Sequence, residues 1–255
     1  MAYRERMRHD QIALQLYTVR RLAATDLPGT LRAVAAAGYR AVEIAGLPAT
    51  DAGELARLLN DAGLKPVAAH EGIEGLRNDV RAVIERFTEL RCPRVVVPWI
   101  PEGDRRTADD VRRFAAELGG YGRSLAEQGI RLGYHNHSFE FEPLDGTTVW
   151  DVLLAALPPE VEIELDVYWA AVGGRDPAAE IRAAADRVRL LHMKDRAPGP
   201  EPHDAPAGEG NLPFPAIIEA ARAAGVEWYI AEQDEPHEPL ENIATAFRYL
   251  EALAV

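Results

Sequence analysis

The feature that most constrains this chain is a beat of roughly 30 residues, in which short β-branched runs alternate with longer Ala-, Leu- and Arg-rich segments. Eight such runs are read as strands: Ile12–Tyr17, Ala41–Ala45, Pro66–His70, Arg94–Pro98, Arg131–Asn136, Val161–Asp166, Val188–Lys194 and Glu227–Glu232. Several are nearly continuous in apolar character, as strands covered on both faces are. Between them the apolar spacing predicts helices over Leu31–Ala37, Glu54–Ala62, Val111–Gln128 and Pro215–Ala224. Each is followed by a glycine (Gly38, Gly63, Gly129, Gly225), the residue that ends a helix with positive φ at least cost. Thr107, followed by Asp109 and Asp110, reads as a helix start.

Eight βα units without a Gly/Ser linker or low-complexity break predict one domain over 1–255, an α/β (β/α)8 TIM barrel. An open doubly wound sheet is the alternative. The densest Pro/Gly stretch, Ala197–Pro206, reads as a long loop after the seventh strand.

Composition narrows the function. Apolar residues at 47% and charged ones at 27% are globular values. No run approaches the 18 or so apolar residues of a membrane span. MAYRERMRHD is basic but lacks the apolar core of a signal peptide, and Cys92 is the single cysteine. A cytoplasmic location is therefore the expectation. The net charge of −13 argues against a nucleic-acid partner.

In a closed barrel, chemistry sits at the C-terminal strand ends. The fifth strand ends in Tyr134-His135-Asn136-His137, followed by Ser138-Phe139-Glu140-Phe141. The sixth ends at Asp166, the seventh at His192-Met193-Lys194-Asp195, and the eighth at Glu232-Gln233-Asp234. One such residue would pass for a cap or a satisfied histidine. Four strands ending in carboxylate or imidazole imply a cation, since clustered carboxylates repel without one. Mixed His and carboxylate donors suit Mn²⁺, Zn²⁺, Co²⁺ or Fe²⁺ better than Ca²⁺. Tyr17, Glu43, His70 and Trp99 fall at the other strand ends as substrate-binding candidates, with Gln15, Arg20 and Glu71 beside them. A polar cup lined by aromatic rings suits a polyhydroxylated, small-molecule carbohydrate.

These residues resemble the xylose isomerase-like TIM-barrel superfamily of sugar phosphate isomerases and epimerases. The likeness runs nearly the whole chain, through IALQLYTVR, GYRAVEIAGL, YHNHSFEF, ELDVYWAAVGGRDP, LLHMKD and GEGNLPFPAIIEAARAAGVEWYIAEQDEP. It implies one divalent metal ion, manganese first, with zinc, cobalt, magnesium or iron as alternatives. It also implies ligands from strands five to eight: Asp166, His192 and Glu232 fall on three of the positions. The first departs from the pattern, having His135 where many relatives carry Glu. Either His135 is the ligand, which is favoured because a strand residue is better fixed, or Glu140 folds back to supply a carboxylate.

The resemblance implies an isomerase, epimerase or lyase working through a metal-stabilised enediolate on a sugar, keto sugar or inositol derivative. The HNH pattern is closer to the inosose dehydratase and keto-sugar branch than to a symmetric two-base epimerase. Glu140 and His137 are then the expected acid/base pair, and Lys194 the group that meets the developing oxyanion; pairing of Lys194 with Asp195 is the structural alternative. Two other functions stand beside this one, an endonuclease IV-like phosphodiesterase and a non-catalytic sugar-binding barrel. No Gly-rich phosphate cradle stands out, and Gly208–Asn211 (GEGN) reads as a tight turn, so a non-phosphorylated substrate is expected. Assembly into a homo-oligomer stays open.

Overall fold

The structure, a computed structural model, describes residues 9–253. Most of MAYRERMRHD, the segment read as lacking a leader's apolar core, lies outside the described residues. Eight parallel strands close into a barrel: β1 (Ile12–Gln15), β2 (Ala41–Ile44), β3 (Lys65–His70), β4 (Arg94–Val97), β5 (Arg131–His135), β6 (Val161–Asp166), β7 (Val188–Met193) and β8 (Trp228–Ala231). Each pairs with its sequence neighbours and β8 closes on β1. The (β/α)8 expectation holds, and the doubly wound alternative is excluded by that closure.

Strand ends run one or two residues shorter than the sequence suggests at β1 and β8, because the chain turns as soon as it clears the barrel. After β1 it enters a 3-10 helix, Leu16–Val19. The helices Leu27–Ala36, Ala52–Asp61, Ala108–Ala126 and Phe214–Ala224 match the four expected ones. Thr107 caps Ala108–Ala126 through a reciprocal box with Asp110. The helix Ile73–Leu90 carries no terminal glycine; Arg91 itself adopts the left-handed conformation, φ 52°.

Alanines and branched aliphatic side chains fill the lumen: Ala13, Ala41, Val67, Ala68, Val96, Leu190 and Ile230. The larger apolar layer lies between strands and helices, where burying a side chain such as Leu132 contributes about 2 kcal/mol. Below the lumen, at the N-terminal strand ends, Arg94 is 1% exposed and pairs with Glu162 (3.0 Å) and Glu227, which Arg131 also engages. These ion pairs plug one mouth and leave the other for chemistry. No helix of the described residues is long and apolar enough to cross a membrane.

Candidate metal centre

Alternation along the strands decides which polar groups enter the lumen. On β6 the sequence VEIELD turns Glu162, Glu164 and Asp166 to the same face, at the bottom, middle and top of the barrel. His135 is in register with Glu164, and His192 with both Asp166 and Ile230. Asn136, between His135 and His137, faces the other way. Its Oδ1 accepts from the Asp166 amide (2.9 Å), tying β5 to β6 at the rim.

His192 is the hub. Its Nδ1 lies 2.7 Å from Glu232 Oε2 and 4.0 Å from Asp166 Oδ2. Its Nε2 lies 2.6 Å from Glu43 Oε2 and 3.2 Å from Glu164 Oε2. Glu164 also receives His135 Nδ1 and His70 Nε2, each at 3.0 Å. Gln15 Nε2 donates to Glu43 at 2.9 Å. Two groups with metal-ligand spacing result, Asp166–His192–Glu232 and His70–His135–Glu164–His192, the donor atoms of each within 4.8 Å of one another.

The expected ligands Asp166, His192 and Glu232 thus meet, while His135 joins the second group. Glu43 is fully buried, its carboxylate set against His192 Nε2 and Gln15 Nε2. Glu164, which sequence reasoning passed over, is equally buried and holds three imidazoles. The alternation in VEIELD was the signal for it.

The donor set fits a cation. Glu43 Oε1 and Glu164 Oε1 are buried oxygens without a hydrogen-bond partner among the described residues, and Asp166 Oδ2, likewise without a hydrogen bond, lies 3.2 Å from the Lys194 ammonium. Such orphans are rare unless an ion or water satisfies them. Burial works against a charged His192, yet Glu164, Glu232 and Glu43 carry it well above the usual imidazole range. Likewise burial opposes ionisation of Glu164 and Glu232. His192 and three imidazole hydrogen bonds nevertheless hold Glu164 far down, and Lys194 with His192 does the same for Glu232. Burial and the Glu164 charge push Glu43 up to about 7. A surplus of negative charge of this kind is what a divalent ion offsets, with release of the ring proton. Burial and the His192 charge depress His135 well below its usual value, leaving it neutral as a ligand must be.

Above the cluster opens a cleft of about 300 Å³ whose walls include Tyr17, His70, Trp99, His137, Lys194 and Asp234. Lys194 pairs with Asp234 (2.9 Å), Glu232 (3.0 Å) and Asp166 (3.2 Å), not with its neighbour Asp195. His137 stacks on Phe139, with ring centroids 5.6 Å apart, and its buried Nδ1 has no partner among the described residues. Burial and the Lys194 charge push it down to about 4. Trp99 is 46% exposed at the cleft's edge.

Glu140 is not in the cleft. Tyr134 Oη donates to its Oε1 (2.6 Å) and the His137 amide to its Oε2 (2.8 Å). Tyr134 faces the surrounding helices, edge-on to Phe114, so Glu140 is held behind β5, pushed up to about 7 by burial. The structure does not bring it to the metal-ligand groups.

The family model of the xylose isomerase-like TIM barrel matches residues 31–253. The chain belongs to this family. Over 111 residues it is 31% identical to "Putative L-ribulose-5-phosphate 3-epimerase SgbU" of Escherichia coli (strain K12), a match spanning 40% of this chain and 38% of that protein. Its fold superposes on a sugar phosphate isomerase/epimerase from Parabacteroides distasonis ATCC 8503 with a TM-score of 0.84. The two are 25% identical, over 96% of this chain and 95% of that one. IOLI protein, solved with a bound zinc atom, gives 0.73 at 16% identity, over 93% and 95% of the two chains, a likeness of fold.

Proposed function

We propose that this chain is a divalent-metal-dependent enzyme that isomerises, epimerises or dehydrates a sugar, keto sugar or inositol derivative by drawing a proton from the carbon beside a carbonyl. One observation carries this: Asp166, His192 and Glu232, all buried, offer three donor atoms within 4.8 Å of one another. The contact of His192 Nε2 with Glu43 supports ligation through Nδ1, as carboxylates commonly orient metal-binding imidazoles. Asp166, His192 and Glu232 would hold the ion. His135, its Nδ1 on Glu164, stands in the neighbouring donor group and would border the ion's site through the shared His192. When bound, the ion supplies the positive charge that acidifies the C–H bond and steadies the carbonyl oxygen. Manganese is the first choice, and zinc, cobalt, iron and magnesium are the alternatives.

The remaining roles fall to residues of the cleft. His137 is neutral and lines the cleft, and its imidazole is the group assigned to take the proton. Glu140, fixed on the His137 amide, sets where that imidazole stands and is a positioning residue in this scheme. Lys194 stays charged, since Asp166, Glu232 and Asp234 outweigh the cost of its burial, and it donates toward the developing oxyanion. Tyr17 and Trp99 offer faces for sugar C–H groups, and His70 a polar edge.

The test is solvent deuterium exchange into keto sugars and inososes before and after treatment with a chelator. Exchange that stops on chelation and returns with Mn²⁺ or Zn²⁺ supports the proposal. Undiminished exchange in metal-free protein overturns it, and sugar binding without exchange in metal-loaded protein gives the non-catalytic barrel instead.

A further inference from the structure

The loop between β7 and the helix Phe214–Ala224 is built around one carboxylate. Asp195 is 2% exposed and accepts hydrogen bonds from four backbone amides: Arg196 (2.8 Å), Gly208 (3.1 Å), Gly210 (2.9 Å) and Leu212 (3.0 Å). Backbone N–H groups converging on one anion form a nest, the arrangement by which loops bind phosphate. In parallel barrels the phosphate site is frequently made by the loops after strands seven and eight. Here that nest is filled from within. At Gly210 a Cβ would come 2.3 Å from Asp195 Oδ1 and 2.4 Å from the Arg196 carbonyl oxygen, so the packing leaves no room for a second anion.

The charges of the cleft point the same way. Among the residues that line it, Lys194 alone carries a permanent positive charge, and three carboxylates already engage it. Arg20, stacked on Tyr17, is committed to the Asp234 carbonyl (2.6 Å), the Tyr17 carbonyl (2.9 Å) and Glu235. A phosphate monoester would add up to about two negative charges beside Glu232 and Asp234, with no donor set aside for it.

We propose that the site takes uncharged sugars and not their phosphate esters, since the one lysine lining the cleft is already engaged by three carboxylates and the amide nest after β7 is already filled by Asp195. This rests on the assignment of the cleft as a sugar site.

Two measurements decide it. In the first, metal-loaded protein is offered free ketoses and their terminal phosphate esters, and deuterium exchange is followed. The expected kcat/KM is at least about tenfold higher for the free sugar, the scale of one unfavourable charge contact; equal or faster exchange into the ester overturns the proposal. In the second, thermal unfolding of the chelator-treated full chain is followed in inorganic phosphate and in chloride of matched ionic strength. The wild type is expected to show no saturable shift up to about 10 mM phosphate, while Asp195→Ala, with the nest opened, gains one. A saturable shift in the wild type overturns the exclusion, and that arm needs no variant to fold. If no sugar of either kind exchanges, the assignment of the site fails, and the phosphate measurement still decides the role of Asp195.

Discussion

Nε2 of His192 lies 2.6 Å from Oε2 of Glu43, a residue 149 positions earlier in the chain and, on β2, three strands round the barrel wall from β7. The contact fixes the ring and turns Nδ1 toward Asp166 and Glu232. Glu43 would therefore act through His192 on an ion held there. Replacing Glu43 by Gln keeps the volume and removes the charge, and metal affinity is expected to fall about 10- to 100-fold. Competition titration against a calibrated chelator measures it; unchanged affinity would detach Glu43 from the centre.

Glu140→Gln separates placement from proton transfer. The amide still offers an oxygen to the His137 N–H and a donor to Tyr134, so exchange activity is expected to survive within about tenfold. Loss by a factor of about a thousand or more, with the fold intact, would restore Glu140 as an acid/base group.

The same residue predicts a pH effect on stability. Its carboxyl rises from an ordinary 4.5 to about 7 because it is buried, so the folded state favours the protonated form. That contribution is full below about pH 4.5 and is lost as pH rises through about 7, which lowers stability by up to about 3 kcal/mol. Urea unfolding between pH 5 and 8 should show a shallower decline for Glu140→Gln than for the wild type. Parallel curves would mean that Glu140 is ionised throughout.

At the closed mouth, Glu162 shares Arg94 with Glu227 and Arg131 with the same partner. Removing its charge leaves the buried Arg94 guanidinium half-paired. Glu162→Gln is expected to cost about 2 kcal/mol, less than a fully orphaned buried charge because Glu227 remains. Equilibrium unfolding in urea reads this directly, and activity should be unchanged.

Trp99→Ala should raise KM about fivefold with kcat within about twofold, since a ring face at the cleft's edge contributes about 1 kcal/mol to binding and nothing to proton transfer. A fall in kcat alone would place Trp99 nearer the reacting atoms.

Much of this architecture is legible in the sequence because its signals are local. The glycines after four helices, the box at Thr107 and the apolar runs of the strands each report on a few neighbouring residues. The helix Ile73–Leu90 ends on Arg91, a residue that carries no such mark. The centre is legible to the extent that strand-end residues must converge in a closed barrel, which brings Asp166, His192 and Glu232 together. Glu164 lies two residues before the strand end, and only the inward face shared with Asp166 reveals it. Glu140 shows the limit: its place depends on Tyr134 Oη, which reaches it from the helix-facing side of β5, and on a 3-10 turn at Phe139–Phe141. Asp195 is similar, since the four amides around it come from a loop whose path no periodicity encodes.

The central claim is a cation among Asp166, His192 and Glu232. Anomalous diffraction from a crystal soaked in Mn²⁺ tests it most directly. The account predicts one strong peak about 2.0–2.3 Å from donor atoms of all three residues. A crystal whose anomalous map is empty there, with His192 still seated between Glu43 and Glu232, would contradict it.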